Sequence, residues 1–302
     1  MSNLKTVKEK LSGVFAPMCT PFGAGDEVDY KALGQNVEKM NSSGLTGYFS
    51  LGTNGEYKSL TDNEKLKVFE TVVKHTSSNI VIMAGTGGES TKKTIEMTRA
   101  VAEMGAELVS LLMPHFFAKK MTDDVLASYI LDVAEASPVP VVLYNNPSVA
   151  AGVTLHLPLM QRVATHPNVV GVKDSSKDNY KENSAAASDE FFVMAGSAGF
   201  FLELLKAGGT GGVLSLANVI PHACAELYQL FVNGKTAEAE DLNARLVTLN
   251  KQVSGTFGVA GVKAAMDIAG FVGGNPRKPL FGLDKSDRES LTRIMGESGF
   301  LA

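Results

Sequence analysis

Eight short apolar runs, separated by stretches of amphipathic character, lay out the plan of this chain. They span 13–18, 47–51, 80–84, 108–112, 139–144, 169–173, 191–195 and 211–216. Each is apolar continuously rather than at alternate positions, the pattern of parallel strands covered on both faces. The intervening stretches carry the helical period. Thr61-Asp62-Asn63-Glu64 reads as a capping box, and Leu66, Phe69, Val72 and Val73 fall on one face of the helix it opens. Leu126, Tyr129, Ile130 and Val133 repeat at the same spacing. About eight strand–helix units in series predict an α/β protein, a (β/α)8 TIM barrel. A doubly wound open sheet is the competing arrangement of the same pattern.

After about residue 218 the strand signals stop. Helical patterns cover 220–232, 236–253, 259–270 and 286–298, broken at Asn233-Gly234 and Gly273-Gly274-Asn275-Pro276. Ser286-Asp287-Arg288-Glu289 reads as a capping box for the last of them. The expected organisation is a barrel over 1–220 followed by a C-terminal helical extension over 221–302.

Composition narrows the function. With 302 residues, 44% hydrophobic, 20% charged and a net charge of −4, the chain has the balance of a globular protein and no basic excess for nucleic acid or membrane surfaces. Two distant cysteines, Cys19 and Cys224, cannot form a disulfide framework. The first ten residues are polar, and no segment approaches the roughly 20 apolar residues of a membrane helix. A cytoplasmic protein acting on a small molecule is the expectation.

In a barrel the loops after the strands form the active-site face, and three polar groupings fall there. The second run leads into Gly52-Thr53-Asn54-Gly55-Glu56, whose glycines allow a tight turn and whose donors suit a carboxylate. The fifth ends in Tyr144-Asn145-Asn146-Pro147, with a phenol able to pass protons. The sixth ends in Lys173-Asp174-Ser175-Ser176. An amine at the end of a buried strand is desolvated, which lowers its pKa and frees the nucleophilic form. Amine, phenol and anion loop together make the set needed to form an imine with a 2-oxo acid, whose iminium then draws electrons from a carbon–carbon bond.

These three motifs, in order and over essentially the whole length, resemble the dihydrodipicolinate synthase / N-acetylneuraminate lyase superfamily of class I aldolases. The resemblance implies that Lys173 forms a Schiff base with a pyruvate moiety and that Tyr144 shuttles protons. It gives Thr53 and Asn54 the substrate carboxylate or the relay, and it implies a homotetramer (a dimer of dimers) with no metal or organic cofactor. Gly52, Ser175, Gly196 and Ser197 are further candidate substrate contacts.

Departures from the family pattern point to one branch. The synthases carry an arginine shortly after the tyrosine motif to grip a second carboxylate, and Val149 stands there. Sialate lyases resemble one another in an acidic pair after the seventh strand, where this chain has Ala195-Gly196-Ser197-Ala198-Gly199. The remaining stretches are most similar to 4-hydroxy-2-oxoglutarate aldolases, which release pyruvate and glyoxylate, and Asn54 in place of the synthases' threonine fits that branch. Many members place a tyrosine in the loop after the fourth strand, reaching a neighbouring subunit's site. Here Phe116 occupies the position, beside His115, and a phenyl ring carries no proton. A non-catalytic pyruvate-binding barrel, a synthase-like condensation and a sugar-acid aldolase or dehydratase are the alternatives.

Other features read as ordinary. Gly85-Thr86-Gly87-Gly88 is an incomplete dinucleotide fingerprint and reads as a turn. The five histidines lack paired ligand spacing, so no metal is expected. Cys19 has no evident activating partner, and Arg277 and Lys278 read as surface charges.

Overall fold

A computed structural model describes residues 4–176 and 180–301. The first three residues of the polar N-terminal stretch lie outside them. Eight parallel strands pair in chain order: β1 (Gly13–Pro17), β2 (Gly47–Ser50), β3 (Val81–Gly85), β4 (Leu108–Leu112), β5 (Val141–Asn145), β6 (Val169–Asp174), β7 (Phe192–Ala195) and β8 (Gly211–Val213). Gly13 of β1 registers with Gly211 of β8, which closes the sheet and rules out the open alternative. The protein is a (β/α)8 TIM barrel.

The barrel interior is a packed core. Phe15, Phe49, Met83, Leu108, Val142, Val170, Phe192, Met194 and Val213 fill it. The short helix α1 (Leu4–Lys10) contributes Val7, which with Leu11 packs against this core. Around the strands lie α2 (Tyr30–Met40), α3 (Asp62–His75), α4 (Thr91–Glu103), α5 (Asp123–Ala136), α6 (Leu157–Val163), α7 (Tyr180–Asn183), α8 (Phe201–Lys206) and α9 (Pro221–Val232). The Thr61–Glu64 capping box opens α3 with both reciprocal bonds made. Phe69 and Val72 of α3 are buried together with Val68, while Leu66 and Val73 are half-buried; all four predicted apolar positions of α5 are buried. Helix α9 packs on β1 and α8, and the expected division at residue 220 falls between β8 and this helix.

Three further helices follow: α10 (Thr236–Asn250), α11 (Thr256–Ile268) and α12 (Lys285–Glu297). A π-helical turn, Lys251–Gly255, joins α10 to α11, and Gly258 kinks α11 at φ 59, ψ −145. That conformation is open essentially to glycine alone. The expected cap of the last helix is corrected: Asp284, not Ser286, accepts the 2.8 Å bond from Asp287 N–H. Its carboxylate caps like a hydroxyl and adds charge at the positive end of the helix.

Arg277 is also corrected. Its guanidinium donates to both oxygens of Glu64 at 2.9 and 2.7 Å and to the Asp26 carbonyl, and it lies 4.5 Å from the Phe22 ring centroid. The hydrogen bond from Arg277 pulls Glu64 down to about 2. Beside it, Lys263 of α11 donates at 2.8 Å to Glu56 and at 2.8 Å to the Thr20 carbonyl, while the other Glu56 oxygen accepts the Arg277 N–H. The extension is thus riveted to the loop after β2 by buried charge. Among the described residues no helix is long and apolar enough to cross a membrane.

Candidate active site

Tyr144 and Lys173 are register partners on β5 and β6, near the C-terminal ends of both strands. Side chains at paired positions of neighbouring parallel strands project to one side, and both of these are buried. The Lys173 Nζ lies 3.9 Å from the Tyr144 ring centroid and 4.9 Å from that of Phe49, which meets Tyr144 edge-on. Tyr144 OH is 3.2 Å from Thr53 Oγ1 and accepts a 2.9 Å bond from Asn146 Nδ2. The structure therefore brings Lys173, Tyr144 and Thr53 together, as the sequence predicts. It adds Asn146, which stood unassigned in the Tyr144-Asn145-Asn146-Pro147 motif.

Both titrating groups shift downwards. Burial lowers the Lys173 pKa, opposed by the Tyr144 oxygen beside it. For Tyr144 burial acts upwards, but the Lys173 charge and the bonds from Thr53, Asn146 and Lys173 outweigh it, so the phenol is more acidic than usual. A free amine and a proton-accepting phenol oxygen both become accessible nearer neutral pH.

The loop after β2 closes as a turn, with Gly55 N–H on Gly52 O and Glu56 N–H on Thr53 O. Among the described residues the Thr53 and Asn54 N–H groups donate to no backbone carbonyl, and Asn54 Nδ2 is buried without a protein partner. These donors are free for a ligand. They border a mouth of about 480 Å3 lined also by Leu112, Ser148, Val149, Ser254, Val259 and Leu280. The extension thus supplies part of the rim, and Val149 stands in it.

At the ends of β6 and β7, Asp174 accepts from Asn145, Ser176 and Asn183, a buried network that fixes the strand end carrying Lys173. Ser175 Oγ is buried without a partner among the described residues; a Cβ on Gly196 would collide with it, so Gly196 makes its room. Ser197 is engaged elsewhere: it caps the turn Ala198–Phe200 and accepts from Asn250. Phe116 and Phe117 are 77% and 67% exposed in the loop after β4. Glu89 holds that loop by accepting from the His115 and Phe116 N–H groups. Cys19 is buried, which pushes its thiol up to about 12, and no cluster of metal-binding side chains occurs among the described residues.

The model of the dihydrodipicolinate synthetase family matches residues 10–298. The chain belongs to this family. This dihydrodipicolinate synthetase family member is 32% identical over 286 residues to a 4-hydroxy-tetrahydrodipicolinate synthase of Methanothrix thermoacetophila, covering 94% of this chain and 95% of that one. It is 28% identical over 293 residues to a probable mitochondrial 4-hydroxy-2-oxoglutarate aldolase of Emericella nidulans, covering 95% and 94%. The crystal structure of a dihydrodipicolinate synthase from Acinetobacter baumannii complexed with pyruvate matches with a TM-score of 0.90 at 29% identity, over 96% of this chain and 100% of that one. The protein is a carbon–carbon lyase of the dihydrodipicolinate synthetase family, with the class I aldolase fold.

Proposed function

We propose that the protein cleaves, or forms, a 4-hydroxy-2-oxo acid with pyruvate as one partner, and that 4-hydroxy-2-oxoglutarate, giving pyruvate and glyoxylate, is the substrate. The observation that carries this reading is the buried Lys173 Nζ against Tyr144, whose hydroxyl is held by Thr53 and Asn146. Pyruvate in the Acinetobacter baumannii relative supports the ligand class. Lys173 attacks the C2 ketone, and the carbinolamine loses water with a proton from Tyr144. The C3–C4 bond then breaks as its electrons neutralise the iminium. The C4 hydroxyl gives up its proton as the aldehyde leaves, the resulting enamine is protonated at C3, and water releases pyruvate.

The free Thr53 and Asn54 N–H groups, set by the turn at Gly52, receive the C1 carboxylate, and the Asn54 side chain with Ser175 serves the distal end; Gly196 gives Ser175 its space, and Ser197 acts on the loop behind it. The apolar rim of Leu112, Val149, Val259 and Leu280 favours a second reading, an aldehyde partner bearing an apolar group. We place the chain in a homotetramer, supported by the exposed, edge-to-face pair Phe116 and Phe117. No resident metal or organic cofactor takes part in this scheme.

The test is incubation with pyruvate and borohydride, followed by mass spectrometry. The expected result is one reduced three-carbon adduct on Lys173; an adduct on another lysine, or none, defeats the reading. A screen of 4-hydroxy-2-oxo acids for pyruvate release, starting with 4-hydroxy-2-oxoglutarate, decides between the two aldehydes.

A further inference from the structure

Two hydroxyl groups beside Tyr144 have no partner among the described residues, and their residues border one cavity. Tyr57 OH and Ser110 Oγ are both buried and unpaired. A buried hydroxyl left unsatisfied is costly, and native proteins commonly satisfy it with ordered water. The cavity is lined by Tyr57 and Ser110 together with Phe49, Gly52, Leu112 and Tyr144, and it offers about 10 Å3 to the centre of a water. That is close to the space of a single molecule.

The chemistry of Tyr144 leaves a place for it. A phenol oxygen has one proton and two acceptor sites. Asn146 takes one acceptor site and Thr53 one further position, so a third partner is accommodated. Ser110 stands on β4 two residues before Leu112, the register partner of Tyr144. Tyr57 also lines the mouth and the open groove beside Gly85-Thr86-Gly87-Gly88, so its ring separates the site from solvent on that side. Burial first, then the fields of Tyr129, Tyr144 and Glu89, raise the Tyr57 pKa, so it stays protonated and can pass a proton on while accepting another.

We infer that one water held by Tyr57 and Ser110 carries the Tyr144 proton towards solvent, and that these two are the positioning residues of a relay standing in for the phenol absent at Phe116. This rests on the Schiff-base reading above. When the iminium becomes the enamine, the C3–H electron pair forms the new double bond. The C3 proton moves to the Tyr144 oxygen, the Tyr144 proton to the water, and a water proton through Tyr57 to solvent.

The test is exchange of the pyruvate methyl protons in D2O, followed by NMR with the full chain; it needs no aldehyde. Tyr57→Phe and Ser110→Ala are each expected to slow saturated exchange about tenfold or more, with half-saturating pyruvate and borohydride trapping at Lys173 unchanged. The double variant is expected to be no slower than the slower single one, because both lose the same water. Native exchange rates in folded single variants, or multiplying losses in the double, overturn the relay and leave the Schiff base standing. Should Tyr57→Phe not fold, Ser110→Ala decides alone. A native protein that neither traps nor exchanges pyruvate overturns both.

Discussion

Lys173 and Lys263 are the two lysines buried among the described residues, and the barrel treats them in opposite ways. Lys263 meets a carboxylate at 2.8 Å, a carbonyl at 2.8 Å and the face of Phe22 at 4.4 Å. Every one of these is a partner for a cation. Lys173 meets two aromatic rings, one of them the Tyr144 phenol, with no carboxylate ion-paired to it among the described residues. Burial therefore acts on Lys173 without full compensation and lowers its pKa. What makes a buried lysine nucleophilic is the partner it lacks, and loss of water alone does not suffice.

The largest expected effect separates the two directly. Lys173→Ala is expected to lose at least about 10^4-fold in turnover, because it removes the amine that forms the imine, while its urea midpoint does not fall. Retained turnover breaks the assignment of the nucleophile. Glu56→Gln is expected to do the reverse. It strands the Lys263 charge and costs about 3–5 kcal/mol of stability by urea unfolding, while folded enzyme still traps pyruvate on Lys173. Adding Lys263→Met is expected to restore most of that loss, since it removes the stranded charge and its desolvation cost. A Glu56→Gln variant as stable as native would show that this pair holds nothing together.

Tyr144→Phe comes next, with turnover slowed at least about tenfold and KM little changed, because a proton carrier is lost and the ring remains. Full activity in that variant would move the proton transfers to another group.

The same contrast explains what the sequence makes legible. Lys173, Tyr144 and Thr53 declare themselves because each sits at the end of a continuous apolar run, and in a closed barrel those ends converge. The eighth run predicts strand to residue 216, but the strand stops at Val213, and Ser215–Asn218 turns so that Asn218 bonds Pro17 O and Cys19 N–H. Lys263 looks like one charge on a helix, and Arg277 like a surface charge, because their partners lie more than 200 residues away. Ser197 looks free in a small polar loop until Asn250 arrives from α10. Tyr57 and Ser110 are harder still: what singles them out is a missing neighbour, which spacing along a chain cannot express. Asn146 was visible in its motif but had no assigned role until its amide met the Tyr144 oxygen.

The smallest effect is the most discriminating about Lys173. Its pKa in the folded protein lies below the ordinary 10.5, so between those two values the unfolded chain binds a proton that the native one does not. Stability then rises with pH across that window and is lost as pH falls through the folded pKa. Lys173→Met removes the group, so the variant is expected to be more stable than native at neutral pH, with the advantage shrinking as pH climbs towards about 10. Tyr144 acts in the same sense, because without Lys173 its phenol loses the charge that made it acidic, and burial then works against its ionisation. Groups outside this pair titrate alike in both proteins and cancel in the difference. Urea unfolding of native and variant at several pH values measures it, with Lys263→Met alongside, which is expected to lose stability at neutral pH. A difference between Lys173→Met and native that stays flat with pH would mean that Lys173 is hydrated in the folded state, and the distinction between the two lysines would collapse.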